Sequence, residues 1–259
     1  NFSVGGGFVY NIGSVDLARS IPVFNSNGEA GAAKLKGTGT GTGYNVGVHY
    51  HLEDVIAISL SYRSKVVTQL KDGDAEFTVP SALASSFPKT TFDAELPLPS
   101  SFNVGLAIPL SKKFDLAIDG TLINYDIYKS LTFNYKHNTD DIQGDDALED
   151  TYQPKKYNKA FSGKIGINYK TTDKLQLRAG TGYVITPVRE DYVYAETPDN
   201  NRVMGSLGFT YALSEKFDIN GAYTFQRILQ RTVTNSVTGL NGTFKTNIHA
   251  PGISLTYKW

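Results

Sequence analysis

Four basic side chains occur where they could hold an acid inside an apolar pocket. Each belongs to a segment of alternating polar and apolar residues, and each falls on the polar side of that alternation. They are Arg63, Lys65, Lys164 and Arg178. A carboxylate that leaves water without a partner costs free energy, so a site for an amphipathic acid needs one or two cations beside its apolar part. These four positions are therefore candidates for contact with an amphipathic acid.

The same four cations have a second interpretation. Acidic residues also fall on the polar side of neighbouring segments. Ion pairs between these acids and the four cations would only set the charge of the protein interior. These acids include Asp115, Asp119 and Asp218. Ligand contact and internal pairing remain alternatives at this point.

The other residues that could carry chemistry form no recognisable site. His49 and His51 share one strand face, but no third ligand is evident beside them, so the sequence predicts no metal and no cofactor. The acidic run at 140–150 lacks the glycine and glutamate offsets of a calcium loop, which favours a solvated loop. No Gly-x-Ser-x-Gly segment occurs and His137 has no distinctively spaced partner, so we predict no enzyme activity.

Composition excludes several classes of protein. The 25 basic residues balance the 25 acidic ones, which gives no electrostatic footprint for nucleic acid. No apolar run approaches the ~20 residues of a membrane-spanning helix. The 16 Tyr, 14 Phe and 25 Gly favour a β-rich chain, and the absence of Cys excludes disulfides.

Alternation with a period of two predicts β-strands along the whole chain. The last apolar face consists of Ile253, Leu255, Tyr257 and Trp259. A terminal aromatic residue on such a face resembles the C-terminal signal of outer-membrane barrels, which implies that the barrel-assembly machinery recognises Trp259. The predicted strands have ~10 residues or more, whereas those of soluble sandwiches usually have ~5–6. We therefore predict an all-β, antiparallel transmembrane β-barrel with about ten strands in this chain.

Short turns and long connections alternate along the sequence. Tight turns are predicted at 53–54, 111–113, 172–174 and 214–216. Long polar connections are predicted at 22–38, 71–95, 136–156, 188–201 and 230–243. In transmembrane barrels this asymmetry separates periplasmic turns from extracellular loops, and the apolar faces meet lipid.

Gly13 interrupts the first strand pattern. Phe8, Tyr10 and Ile12 have even numbers, whereas Val15 and Leu17 have odd ones. The change of phase predicts a β-bulge or a kink at Gly13.

Several segments, in order, resemble the FadL/TodX family of outer-membrane transporters for long-chain fatty acids and other hydrocarbons. The first three are the glycine-rich 37–47, the Ser-Tyr-Arg-Ser segment at 61–64 and the Leu-Pro-Leu-Pro segment at 96–99. The more specific ones are 166–169, 177–180, 186–188 and 198–202.

The resemblance implies a fourteen-stranded barrel with an N-terminal hatch, in which apolar substrate binds in the lumen and leaves sideways through the wall. On that pattern residues 1–259 are a single barrel domain, and the hatch and about four first strands are expected to be absent from this sequence. Family members hold the fatty-acid carboxylate with basic side chains in the lumen, but their positions do not align with this chain.

We therefore predict a channel of the bacterial outer membrane for passive uptake of long-chain fatty acids or other hydrophobic compounds. Its expected partners are that ligand, outer-membrane lipids, lipopolysaccharide and the assembly machinery. One alternative is a general porin or structural barrel, which a wide, continuous polar lumen would favour. Another is an outer-membrane hydrolase, which converging Ser, His and Asp residues or a calcium site would favour.

Overall fold

The computed structural model describes residues 1–136, 151–234 and 236–258. Its strands are β1 Phe2–Phe24, β2 Ala30–Leu52, β3 Ile56–Arg63, β4 Val66–Thr78, β5 Thr90–Leu98, β6 Ser101–Pro109, β7 Phe114–Ile123, β8 Ser130–Tyr135, β9 Thr151–Pro154, β10 Ala160–Lys170, β11 Leu175–Ile185, β12 Arg202–Ala212, β13 Phe217–Val233 and β14 Gly242–Tyr257. Short 3₁₀ helices span Ser81–Ser86, Tyr125–Ile127 and Glu190–Tyr192. Within these described residues, no helix is both long and apolar enough to cross a membrane.

All the strands belong to one antiparallel sheet. Four pairs of consecutive strands each form a single passage across the sheet, because the second strand of a pair continues the line of the first. These pairs are β3 with β4, β5 with β6, β7 with β8, and β9 with β10. The fourteen strands of the described residues therefore cross the sheet ten times, with β1 and β14 at its edges. This confirms the ten strands predicted from alternation.

The predicted tight turns are confirmed, and three of them share one local structure. In each, a hydroxyl oxygen accepts the backbone N–H groups of the residues two and three positions later. The hydroxyls belong to Ser111, Thr172 and Ser214. Such bonds satisfy turn N–H groups that no strand pairs. The tight turns lie together at one end of the sheet, opposite the longer connections.

The predicted long connections are too long in four places, one of which is 136–156, where β9 occupies Thr151–Pro154. The 22–38 connection is wrong, because β1 ends at Phe24 and β2 begins at Ala30. Within 71–95 and 230–243, strands likewise occupy the outer parts of each range. The small residues in 30–36 resemble a loop in composition, but pairing with both β1 and β4 holds them extended.

The predicted bulge at Gly13 is wrong. The register between β1 and β2 is continuous from Phe2 opposite Tyr50 to Ile21 opposite Gly31. The apolar phase changes because Val15 packs against a buried apolar cluster on what is otherwise the polar face.

The apolar faces point out of the sheet into open space. The exposed fractions of Phe8, Ile12 and Ile253 are 75%, 74% and 78%. Other large apolar side chains with exposed fractions of 36% or more recur at alternate residues along many of the strands. An apolar exterior of this kind is suited to lipid rather than to water, which leaves the opposite, polar face to line the interior.

Candidate channel wall and ligand-binding residues

The wall of the sheet is interrupted between β2 and the passage formed by β3 and β4. β2 pairs with β3 from Leu52 back to Asn45, which lies opposite Arg63. Its pairing resumes with β4 at Thr40, which lies opposite Gln69. At the break, the Ser64 N–H donates to the carbonyl of Tyr44 (2.9 Å), and the Ser64 hydroxyl accepts from the Tyr44 N–H (2.9 Å). Residues 41–43 of β2 have no ladder partner on that side.

Alternate glycines let β4 lie directly on the polar face of β2. A Cβ at Gly39 would lie 2.4 Å from the carbonyl oxygen of Gln69, and one at Gly41 would lie 2.6 Å from that of Val67. Both distances are shorter than real Cβ contacts. The glycine-rich segment 37–47 therefore leaves room for β4 to cross close to the backbone of β2.

The crossing strand also reaches β1. Thr68 is 1% exposed, and its hydroxyl accepts a hydrogen bond of 2.7 Å from the Asn11 amide. Its methyl group would lie 3.2 Å from a Cβ at Gly13. A side chain at Gly13 would therefore require Thr68 to shift by a few tenths of an ångström, although the strand does not bulge there.

An apolar cluster, here named the apolar corner, fills the angle between β1–β2 and β4–β5–β8. Its members are Leu35, Leu70, Ala75, Phe92, Ala94, Phe133 and Tyr135. Phe92 is fully buried, and its ring meets that of Phe133 edge to face at 5.4 Å. Apolar packing therefore covers the polar face of β2 near the longer connections, where a water-filled pore would keep polar side chains.

Two of the four predicted ligand cations lie together. Lys164 and Arg178 line one cavity of about 350 Å³. The Arg178 guanidinium donates to the Thr210 hydroxyl (2.8 Å) and to the Gln176 amide oxygen (3.1 Å). Within the described ranges, neither cation forms an ion pair.

Arg63 and Lys65 lie apart from that cavity and from each other. Arg63 lines a second cavity of about 740 Å³ with Asn45 and His49. Parity predicts that Arg63 and Lys65 both face the interior, but they line different cavities. Beyond Ser64 the strand crosses the polar face of β2, so that Val66 and Thr68 pack on β2 while Lys65 points away from it. Lys65 lines a third cavity, beside Asp93, Glu95 and Lys129.

Two of the acids expected to neutralise these cations have other partners. Asp115 lies 3.7 Å from the Lys170 ammonium and accepts from the Asn168 amide (2.9 Å). Asp218 lies 2.8 Å from the Lys258 ammonium. Neither acid therefore forms an ion pair with the four cations within the described residues, although Asp115 lines the cavity of Lys164 and Arg178. Asp119 faces Lys164 across the ladder, without an ion pair between them in the described structure.

Some predicted features lie elsewhere or outside the described residues. The rings of His49 and His51 are 6.4 Å apart, and His49 lines the Arg63 cavity. His137, the acidic run at 140–150 and Trp259 lie outside the described residues.

Sequence reasoning missed a packed cluster at the ends of the longer connections, here named the loop cluster. Its buried apolar members are Tyr157, Val188, Val193 and Val233. Lys155, 3% exposed, has its ammonium 3.5 Å from the centre of the Tyr194 ring and 3.4 Å from a Glu196 oxygen. Burial lowers the pKa of Lys155, and Glu196 opposes that shift. These contacts join the 155–159 and 186–201 connections.

Tyr128 gives the loop cluster a predicted pH dependence. Burial raises the pKa of its phenol from 10.0 to about 12, with nearby Tyr157 and Glu196 adding to the shift. Above pH ~10 the unfolded chain loses this proton while the folded chain keeps it, so stability should fall as the pH rises from ~10 through ~12. We expect limited proteolysis to cut the connections faster as the pH rises across this range. Tyr128→Phe should reduce this pH dependence of the cleavage rate. The matched control is Tyr152→Phe, at a tyrosine with 61% exposure, and an equal effect of both variants would contradict the assignment.

Comparison with known proteins identifies the family. The model of the family described as outer membrane protein transport protein (OMPP1/FadL/TodX) matches residues 1–259. A protein of Neisseria meningitidis serogroup B, named as an outer-membrane protein, is 26% identical over 250 residues. That match covers 88% of this chain and 53% of the relative, so the chain spans about half of the relative's length.

Solved structures show the same fold. The crystal structure of a Pseudomonas aeruginosa FadL homologue superposes with a TM-score of 0.77 at 19% identity, over 99% of this chain and 64% of the homologue. The CymD monoaromatic hydrocarbon channel gives 0.69 at 18% identity, over 100% of this chain and 69% of that channel. The chain therefore belongs to the FadL/TodX family of outer-membrane transport proteins, and its strands are part of the wall of a FadL-like β-barrel.

Proposed function

We propose that the protein containing this chain is a passive outer-membrane channel for long-chain fatty acids or other hydrophobic compounds. The observation that carries the proposal is the break in the β2 ladder at residues 41–43, beside the apolar corner. A water-filled pore needs an unbroken wall and a polar interior, whereas a hydrophobic solute gains from apolar interior surface and from a direct path into lipid.

The proposed route leaves the interior sideways at this break. The cavity that contains Arg63 and Asn45 adjoins the break on the polar face. On the opposite face, the neighbouring side chains Tyr44 and Tyr62 have rings 6.0 Å apart and belong to the lipid-facing surface. A solute that passes between them would move from the interior directly into lipid.

Lys164 and Arg178 are the proposed carboxylate ligands of an acidic substrate. They share one cavity with Asp115 and Asp119, and neither cation forms an ion pair among the described residues. Arg63, beside the break, would meet a carboxylate later on the route. The family consists of transporters and channels, and we propose that this protein likewise performs no covalent chemistry.

Ligand competition tests this proposal. The full-length protein in detergent would be titrated with a fluorescent long-chain fatty acid, and competitors would be an unlabelled long-chain acid, a monoaromatic hydrocarbon, a short-chain acid and a sugar. We expect saturable binding that the first two displace and the last two do not. Absence of saturable binding, or displacement by the sugar, would contradict a channel for hydrophobic compounds.

A further inference from the structure

A cationic patch lies on the outer surface where β13 and β14 emerge from the apolar band. This outer patch consists of Arg227, Lys245, Asn247 and His249. Arg227 faces Asn247 across the ladder, and Phe225 faces His249. Residues two apart along a strand share a face, so the patch continues the outward-facing row of Tyr223 and Phe225.

The polar groups of the outer patch are available to a ligand. All four side chains are exposed, and within the described ranges neither Arg227 nor Lys245 forms an ion pair. The Tyr223 hydroxyl and His249 Nδ1 share a hydrogen bond of 2.6 Å, which fixes the imidazole. When Tyr223 donates in that bond, the imidazole carries its hydrogen on Nε2 and can donate it outward.

The height of the outer patch matches the outer membrane interface. A transmembrane β-strand needs about 9–11 residues to cross the hydrocarbon. That is the separation in sequence from Phe217 to Arg227 on β13 and from Tyr257 to Asn247 on β14, counted from the tight-turn end. Tight turns lie on the periplasmic side of such barrels, so the patch lies at the level of the outer-leaflet headgroups.

An apolar groove of about 700 Å³ lies on the same face, directly below the patch. Among the side chains that line it are Leu177, Ala179, Leu207, Phe209, Tyr223 and Ile253. The Phe209 ring lies against Gly221, where a Cβ would be 2.3 Å from Cε1 of the ring, so only glycine admits the ring to this part of the groove wall.

The groove and the outer patch are continuous. Tyr223 lines the groove and bonds His249 of the patch. Between them, Gly205 lies opposite Phe225, and a Cβ at Gly205 would meet no atom within 4 Å. The surface therefore offers an apolar groove that leads, toward the longer connections, to Arg227 and Lys245, which form no ion pair within the described ranges.

We propose that this surface binds a phosphorylated glycolipid of the outer leaflet, of the lipopolysaccharide class. One acyl chain occupies the groove, and a phosphate contacts Arg227, Lys245 and His249. The charge of the patch and its height at the outer interface both select an anionic headgroup of that leaflet. This site lies on the outer face and goes beyond the proposed channel function.

Binding of defined lipids to the detergent-purified full-length protein tests the site by native mass spectrometry. The probes are diphosphoryl lipid A, monophosphoryl lipid A and, as a competitor, inorganic phosphate. For Arg227→Gln/Lys245→Gln we expect a rise in the Kd of diphosphoryl lipid A of about tenfold or more, since charged hydrogen bonds are lost. Monophosphoryl lipid A should bind the native protein more weakly than the diphosphoryl form, and inorganic phosphate should not compete.

Two further variants keep the test decisive. The matched control is Lys112→Gln/Lys113→Gln, which removes two exposed charges at the tight-turn end and should leave the Kd unchanged. Ala179→Phe fills the groove with an apolar side chain and should also raise the Kd. Unchanged binding by the Arg227→Gln/Lys245→Gln variant, or equal weakening in the control, would overturn the proposal. Far-ultraviolet circular dichroism and heat-dependent migration in gel electrophoresis verify that each variant is folded, whatever the outcome for the channel hypothesis.

Discussion

Gly39→Ala is expected to displace β4 from the polar face of β2 and to destabilise the barrel. The new Cβ would lie 2.4 Å from the carbonyl oxygen of Gln69 and 2.9 Å from the backbone nitrogen of Leu70. Both are backbone atoms, so no side-chain rotation relieves the clash. Overpacking of this kind typically costs about 1–3 kcal/mol, and we expect the upper part of that range in urea unfolding from detergent.

Gly5→Ala is the matched control, because it lies in the same β1–β2 hairpin and its Cβ would meet no atom within 4 Å. Its effect on the free energy of unfolding should stay within about 0.5 kcal/mol. If the two alanine variants were equally stable, the close crossing of β4 over β2 would be refuted. Reduced fatty-acid binding by a folded Gly39→Ala protein would also link the crossing to the channel.

Lys164→Gln/Arg178→Gln is expected to weaken binding of a long-chain fatty acid by about 10- to 100-fold, because a buried carboxylate loses its charged hydrogen bonds. Binding of a monoaromatic hydrocarbon should not change, since it carries no charge. Isothermal titration with both ligands distinguishes the two effects. The control is Lys174→Gln/Lys216→Gln, which removes charges from two tight turns.

Equal loss of affinity for the acid and the hydrocarbon would show that the double variant disturbs the cavity rather than a carboxylate site. Unchanged affinity for the acid would remove Lys164 and Arg178 from the ligand site. Arg63, which lines a separate cavity beside the break, would then be the next cation to replace.

Much of the fold could be predicted from the sequence because its main signal is local. A strand between lipid and lumen must alternate, and the tight turns at 111–113 and 214–216 carry hydroxyls that satisfy their own N–H groups. Strand ends were missed where small residues follow one another, as in 30–36, because tertiary pairing rather than composition keeps them extended.

The arrangement of the candidate site was less predictable because it depends on long-range contacts. Parity gives Arg63 and Lys65 a common face but cannot show that they line different cavities, because β4 crosses over β2 beyond Ser64. The resemblance identified the glycines of 37–47, but their role depends on the distant Val67 and Thr68. The loop cluster around Lys155 gave no signal, because irregular connections have no period to detect.

Uptake by intact bacteria that lack their own fatty-acid channel tests the central claim most directly. Cells with and without the full-length protein would receive a radiolabelled long-chain fatty acid or a labelled disaccharide. The account predicts saturable, protein-dependent uptake of the fatty acid and no gain in disaccharide uptake. Protein-dependent entry of the disaccharide, without entry of the fatty acid, would contradict a hydrophobic channel and indicate a water-filled pore.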